Sequence, residues 1–238
     1  MNTITFTLRK EPKEYLKTEN MTPDYCAGKT ASEIAKMPVY TENQTLTLGT
    51  FFDVKGTGGT TAEDTKLVLN GDLKKINNIG MRMTAGEIVV NGSTDMYTGA
   101  WMKGGSITVN GNVDSFAAIG MEGGSIVING NARDFLGAAY RGDWRGLQGG
   151  CITVKGDIGT GSGMFMRNNA INSEKTEARR KYREKIKLSD IQKAELSAIF
   201  KDAVTISATE MRDIVKEKYG IEMKTMQVSR LMYELQRE

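Results

Sequence analysis

The groups in this chain that could do chemistry are few, and their spacing says more than their number. Asp95 and Asp114 stand 19 residues apart, each two residues before an aromatic, Tyr97 and Phe116. Two carboxylates brought together could share a proton or divide acid and base work between them. An Asp in such a place also has a plainer use, accepting hydrogen bonds from its own backbone in a turn, and that reading is preferred here. The 238 residues contain no histidine. That excludes Ser-His and Cys-His nucleophiles and His-ligated metal sites within this chain, and it removes the usual general base. Two cysteines, Cys26 and Cys151, make neither a disulfide framework nor a metal cluster. The glycine-rich runs lack the Gly-x-x-x-x-Gly-Lys-Ser/Thr form of a phosphate loop. Met102-Lys103-Gly104-Gly105-Ser106 leads into a strand pattern and not into the helix start that an anion cradle needs. No catalytic, cofactor-binding or metal-binding residue is expected in this chain.

The 19-residue spacing of the two aspartates belongs to a repeat. Gly92 to Gly111 and Gly111 to Gly130 match almost position for position, each reading Met-x-Gly-Gly-Ser-Ile-x-Val/Ile-Asn-Gly in its second half. Upstream, the step from Gly71 to Gly92 is 21 residues. Downstream, the step from Gly130 to Gly156 is 26, so Asp143-Trp144-Arg145 falls in a seven-residue insertion. Gly161-Ser-Gly-Met164 opens one more unit, after which the pattern fades. A unit of about 20 residues cannot bury its own apolar face and must stack on the next.

Each column of the repeat has a physical meaning. Ile88/Val90, Ile107/Val109, Ile126/Ile128 and Ile152/Val154 alternate as short strands with one face inward. Tyr97, Phe116 and Phe135 form an aromatic column, and Met83, Met102 and Met121 a column of adaptable apolar filler. Asn70-Gly71, Asn91-Gly92, Asn110-Gly111, Asn129-Gly130 and the lone Gly156 read as corners, because Asn and Gly tolerate positive φ. Gly99 and the pairs Gly104-Gly105, Gly123-Gly124 and Gly149-Gly150 mark places where a Cβ would obstruct the backbone. These columns predict an all-β, right-handed parallel β-helix over 56–168, with an N-terminal cap over 1–55.

Within the cap, Ile4 to Leu8 alternates as a strand. Thr30 and Glu33 are spaced as a capping box for a short helix that Pro38 ends, and Phe51 to Gly56 reads as a strand. Hydrophobic content of 39% and charged content of 26% are globular values. The start has no apolar signal core and no run is long enough to cross a bilayer, so a cytoplasmic, reduced protein is expected.

Near residue 168 glycine gives way to helical composition. Residues 169–188 form a basic linker that includes Arg179 and Arg180, and 189–238 form a three-helix module. From Ile171 onward there are 15 basic and 12 acidic residues, so the net charge of +3 lies entirely in this tail. Ser189, Ser207 and Thr225 are the expected N-caps, with Gly220 as a stop and Ile191, Leu196, Phe200, Ile214, Leu231 and Leu235 facing inward. The last two helices, with Gln227, Ser229 and Arg230 on the second, resemble a helix-turn-helix unit. A net of +3 is nonetheless weak for a surface that tracks phosphates. Trp144, Arg145, Arg179, Arg180 and Arg230 are candidate partner contacts.

The chain resembles a known family. Its repeats are similar to the GXGXG domain of the glutamate synthase large subunit. The closer resemblance is to the C subunit of formylmethanofuran dehydrogenase and its counterpart in the bacterial formyltransferase/hydrolase complex. It is carried over about residues 1–166 by the lead-in Glu19-Asn20-Met21-Thr22-Pro23-Asp24, by Phe51-Phe52-Asp53-Val54-Lys55-Gly56, and by the Gly-Ala-x-Met-x-Gly-Gly units. The resemblance implies a cytoplasmic, archaeal scaffold without catalytic residues, in a complex that reduces CO2 to formylmethanofuran in methanogenesis. Its partner subunits would carry a molybdenum or tungsten pterin, iron–sulfur clusters and a dinuclear metal site. The early end of the array and the helical tail depart from that pattern. They keep open two other readings: a DNA-binding or regulatory protein with a β-helix module, and a stand-alone glutamate-synthase-like module.

Overall fold

The 19-residue step of the sequence is the register of a sheet. The computed structural model describes residues 1–166, 171–173, 190–202, 207–223, 228 and 231–232, and the chain divides into two compact units, Met1–Lys175 and Thr176–Glu238. The first unit opens with β1 (Asn2–Leu8), β2 (Leu16–Lys17), α1 (Pro23–Cys26), α2 (Ala31–Ala35), β3 (Pro38–Tyr40), β4 (Thr45–Thr47), α3 (Leu48–Phe51) and β5 (Phe52–Gly56). The repeats then supply β6 (Thr65–Asn70), β7 (Ile76–Asn77), β8 (Glu87–Asn91), β9 (Ser106–Val109), β10 (Ser125–Ile128), β11 (Cys151–Val154) and β12 (Ile171–Ser173).

Eight of these strands form one sheet in the order β12-β11-β10-β9-β8-β6-β1-β5. Its pairs are parallel except β1 with β5. Ile88 lies beside Ile107, Ile107 beside Ile126, and Ile126 beside Ile152. The aliphatic column is therefore continuous, and each of these side chains is buried. Two rungs lie outside the span expected from the repeat. Ile4 and Phe6 of β1 pair with Leu67 and Leu69, so the N-terminal segment is itself a rung of the sheet. Ile171 pairs with Ile152, so the stack runs beyond Met164 and past residue 168. Phe51, expected in a strand, instead ends α3, and β5 begins at Phe52.

A second line of parallel bridges joins Leu73, Thr94, Val113, Ala132 and Ile158 in succession. A third line runs where Gly99 N–H donates to the Ile79 carbonyl (2.8 Å), Ala118 N–H to Thr98 (2.8 Å) and Gly137 N–H to Ala117 (2.9 Å). Each repeat thus satisfies its backbone on its neighbours at three places, and Met83, Met102 and Met121 fill the space between.

The corners differ from expectation. None of Asn70, Asn91, Asn110 and Asn129 takes positive φ, and of the glycines that follow them only Gly71 does. The asparagines instead form a side-chain ladder. Asn91 donates to Asn70 (2.8 Å), Asn110 to Asn91 (2.9 Å) and Asn129 to Asn110 (2.6 Å). Glycine follows because a Cβ on Gly92, Gly111, Gly130 or Gly156 would stand 1.9 to 2.6 Å from the carbonyl oxygen of the matching glycine one repeat back. In each glycine pair the first member (Gly104, Gly123, Gly149) faces a carbonyl of the preceding repeat, and the second (Gly105, Gly124, Gly150) is left-handed.

The lead-in lies against the early repeats. Leu16 pairs with Ile76, Gly80 N–H donates to the Met21 carbonyl (3.2 Å), and the Asp24 carboxylate accepts from Thr84 N–H (3.1 Å) and from the Thr84 hydroxyl. Thr30 and Glu33 form the expected capping box on α2.

In the second unit, α4 (Asp190–Asp202) and α5 (Ala208–Tyr219) are described. Ser207 and Glu210 cap α5 reciprocally, and Gly220 ends it in the left-handed conformation. Leu196, Met211, Val215, Val228 and Leu231 form the core, with Ile214 packed against it. Ile191, expected inward, is 74% exposed. The expected Ser189 and Thr225 caps, the Phe200 side chain, Leu235, and Gln227, Ser229 and Arg230 lie outside the described residues.

Candidate functional site

The aromatic column lies on the outer surface of the first unit, and its backbone is left-handed. Tyr97, Phe116 and Phe135 have φ of 63°, 63° and 61°. Positive φ recurs two residues on at Gly99, Ala118 and Gly137, and four residues on at Trp101 and Gly120. Non-glycine residues in this region cost about 1 kcal/mol or more each. Hydrogen bonds between repeats hold them there: Phe116 N–H donates to the Asp134 carbonyl (2.9 Å), Phe135 N–H to Thr160 (2.8 Å) and Trp101 N–H to Ile119 (2.8 Å). The rings stack with centroids 5.5 Å apart for Tyr97–Phe116 and 5.1 Å for Phe116–Phe135, with planes within 12° of parallel. The column loses its ring at Gly161, where a Cβ would strike the Phe135 ring at 2.5 Å.

The inserted loop rises beside this column. Tyr140 reaches Trp101 at 5.6 Å, and the Arg82 guanidinium lies 5.7 Å from the centre of the Trp101 ring. Between the stacked rings and the loop runs a groove of about 600 Å³, with Tyr140, Arg141 and Asp143 on one wall and Met164 and Phe165 at one end. Trp144 stands 62% exposed. Arg145 is tied within the loop, since its backbone N–H, Nε and Nη2 all donate to the Asp143 carboxylate at 3.0 to 3.2 Å. Those bonds hold the Asp143 carboxyl below the usual carboxylate range. Arg179, Arg180 and Arg230 lie outside the described residues.

The two repeating aspartates have separate environments. Asp95 is buried. Its Oδ1 accepts from Met96 N–H (2.8 Å), while Oδ2 is buried with no partner. Burial pushes its carboxyl above the usual range, and the neighbouring charge of Asp114 adds to this. For Asp114 burial acts in the same direction, but hydrogen bonds from Ser115 and from Arg133 (3.2 Å) outweigh it and keep the carboxyl low. Both side chains accept from the next backbone N–H, so each serves its own turn. Cys26 is buried, and that burial pushes its thiol up to about 12, well away from a reactive thiolate. Among the described residues no three His, Cys, Asp or Glu side chains converge as a metal would require, and no helix is long and apolar enough to cross a membrane.

The groove itself is not legible in the sequence. The aromatic column and the insertion are visible there separately, and only the 26-residue step between Gly130 and Gly156 hints that they adjoin. No protein-family model matches this chain. It is 44% identical over 100 residues to the C subunit of the tungsten-containing formylmethanofuran dehydrogenase 2 of Methanothermobacter wolfeii, covering 42% of this chain and 37% of that one. It is 46% identical over 147 residues to the corresponding subunit of Methanococcus maripaludis, covering 62% and 53%. This chain is related to the C subunit of formylmethanofuran dehydrogenase. The C subunit of the molybdenum-containing dehydrogenase 1 of Methanosarcina barkeri is 45% identical over 82 residues, 34% of this chain and 27% of that one. The chain thus spans between about a quarter and a half of the length of these relatives. Among solved structures, the formyltransferase/hydrolase complex FhcABCD of Methylorubrum extorquens in complex with methylofuran aligns with a TM-score of 0.61 at 31% identity, covering 67% of this chain and 59% of the matched chain.

Proposed function

We propose that this chain is a non-catalytic scaffold of the C-subunit type in a cytoplasmic, formylmethanofuran dehydrogenase-like complex, and that its stacked repeats form a right-handed parallel β-helix. The observation that carries the reading is the identity of 44 to 46% to these relatives across the repeats. The residues are consistent with it. The stack satisfies its own backbone, its one buried thiol is held protonated, and its aspartates serve turns. Carbon dioxide reduction, the molybdenum or tungsten pterin, the iron–sulfur clusters and the dinuclear metal site would then belong to partner subunits. The test is native purification of the full chain followed by mass spectrometry and metal analysis. Co-purification with a molybdenum- or tungsten-containing oxidoreductase is expected. Purified chain that turns over CO2, formate or a formyl group without other subunits would refute the non-catalytic part of the reading.

A further inference from the structure

The aromatic groove has an occupant that its walls and rim describe. Of the ten large hydrophobic side chains exposed among the described residues, five lie between positions 135 and 165: Phe135, Tyr140, Trp144, Met164 and Phe165. Apolar surface gathered in this way marks a contact site, whereas scattered exposure does not. Aromatic, Met and Arg side chains are also the types that interfaces favour at their centres. One wall is rigid, because the rings of Tyr97, Phe116 and Phe135 are stacked and their backbone is bonded between repeats.

The rim carries a sign. Arg82 lies over Trp101, and Arg141 is exposed on the groove wall. Asp143, the carboxylate of that wall, is neutralised by Arg145. The rim is therefore net cationic. A second copy of this chain docking through the same face would set that cationic rim against itself, as a two-fold contact requires. A partner with an apolar side chain beside a carboxylate would meet both the rings and the arginines.

We propose that the groove binds an extended segment of a neighbouring protein subunit that presents an aromatic or large aliphatic side chain next to an Asp or Glu. This rests on the reading of the chain as a member of a multisubunit assembly. Two variants of the full chain test it: the double substitution Tyr140→Ser with Phe165→Ser, and Arg141→Glu. Both alter exposed side chains, and thermal melting of each purified chain verifies folding. Each is compared with the parent for retention of the identified dehydrogenase subunits in affinity purification. A photo-cross-linking residue placed at position 140 maps the contact. The proposal expects about a tenfold or greater loss of one subunit with either variant. It also expects cross-links to a segment of that subunit pairing an apolar residue with an acidic one. If the parent retains the subunits and both variants retain them equally, the groove proposal fails while the assembly reading stands. Cross-links confined to a second copy of this chain also overturn it. If the parent itself retains no dehydrogenase subunit, the assembly reading fails and takes this one with it.

Discussion

At the scale of single residues, glycine acts here mainly through the absence of a side chain. Gly111 has its missing Cβ aimed at the backbone of Gly92 and Ser93, with three atoms within 2.8 Å. Gly142, in the inserted loop, is left-handed at φ of 86° but has open space around it. Gly111→Ala should therefore cost about 3 kcal/mol, because backbone in two repeats must move. Gly142→Ala should cost only about 1 to 2 kcal/mol of local strain. Denaturant unfolding of the two variants side by side gives the comparison, and equal losses would contradict the stacking geometry. Asp95 supplies a second residue-scale expectation. A carboxyl whose folded pKa is raised above its unfolded one holds its proton more tightly in the folded state. Its penalty is absent below the unfolded carboxylate range and grows as pH rises through the interval up to the raised value. Asp95→Asn keeps an acceptor for Met96 N–H and removes the charge. The variant should melt higher than the parent at neutral pH, with the advantage gone in acid. A melting difference that does not change with pH would argue against burial as the cause.

At the scale of elements, the stack is a set of columns that tolerate little chemical change. Ile107 is fully buried and lies between Ile88 and Ile126 in adjacent strands. Ile107→Asp would bury an unpaired carboxylate at a cost of several kcal/mol, and the chain should fail to fold. Soluble protein with a parent-like melting transition would contradict this. Much of this level is legible in the sequence, since a strand with alternating Ile and Val followed by Asn-Gly is a local signal that repeats at fixed intervals. The rest depends on distance along the chain. β1 reaches β6 across some sixty residues, and nothing in Ile4-Thr-Phe6 names its neighbour. Ile171 lies 19 residues after Ile152, yet no Asn-Gly follows it to mark a repeat. The asparagines suggest a conformational freedom that they do not use, because their ladder exists only once the repeats are stacked. The left-handed aromatics carry no local signal either, since hydrogen bonds from neighbouring repeats impose that backbone against local preference.

At the scale of the whole molecule, the chain consists of two units of different character. The composition break near residue 168 is visible in the sequence, but the sheet includes Ser173 and the contact boundary falls at Lys175. A chain ended after Lys175 should keep the melting transition of the first unit, whereas one ended after Asn168 should lose its last strand and melt lower. Identical melting of the two truncations would argue that β12 contributes nothing. The tail's modest excess of basic over acidic residues leads to the expectation that the full chain binds random duplex DNA weakly at physiological salt. Nanomolar binding with a steep loss on adding salt would instead favour a regulator.

The equality of the two central repeats makes the molecule a gauge. Asn91, Asn110 and Asn129 mark graduations at equal intervals, and each 19-residue unit adds one strand spacing, about 4.8 Å, to the distance between whatever is held at its two ends. Insertions such as that around Trp144 swell sideways and leave this measure unaltered. Evolution can therefore lengthen the span in whole steps by duplicating a unit, and change what is gripped at a given height by altering a loop, without either change disturbing the other.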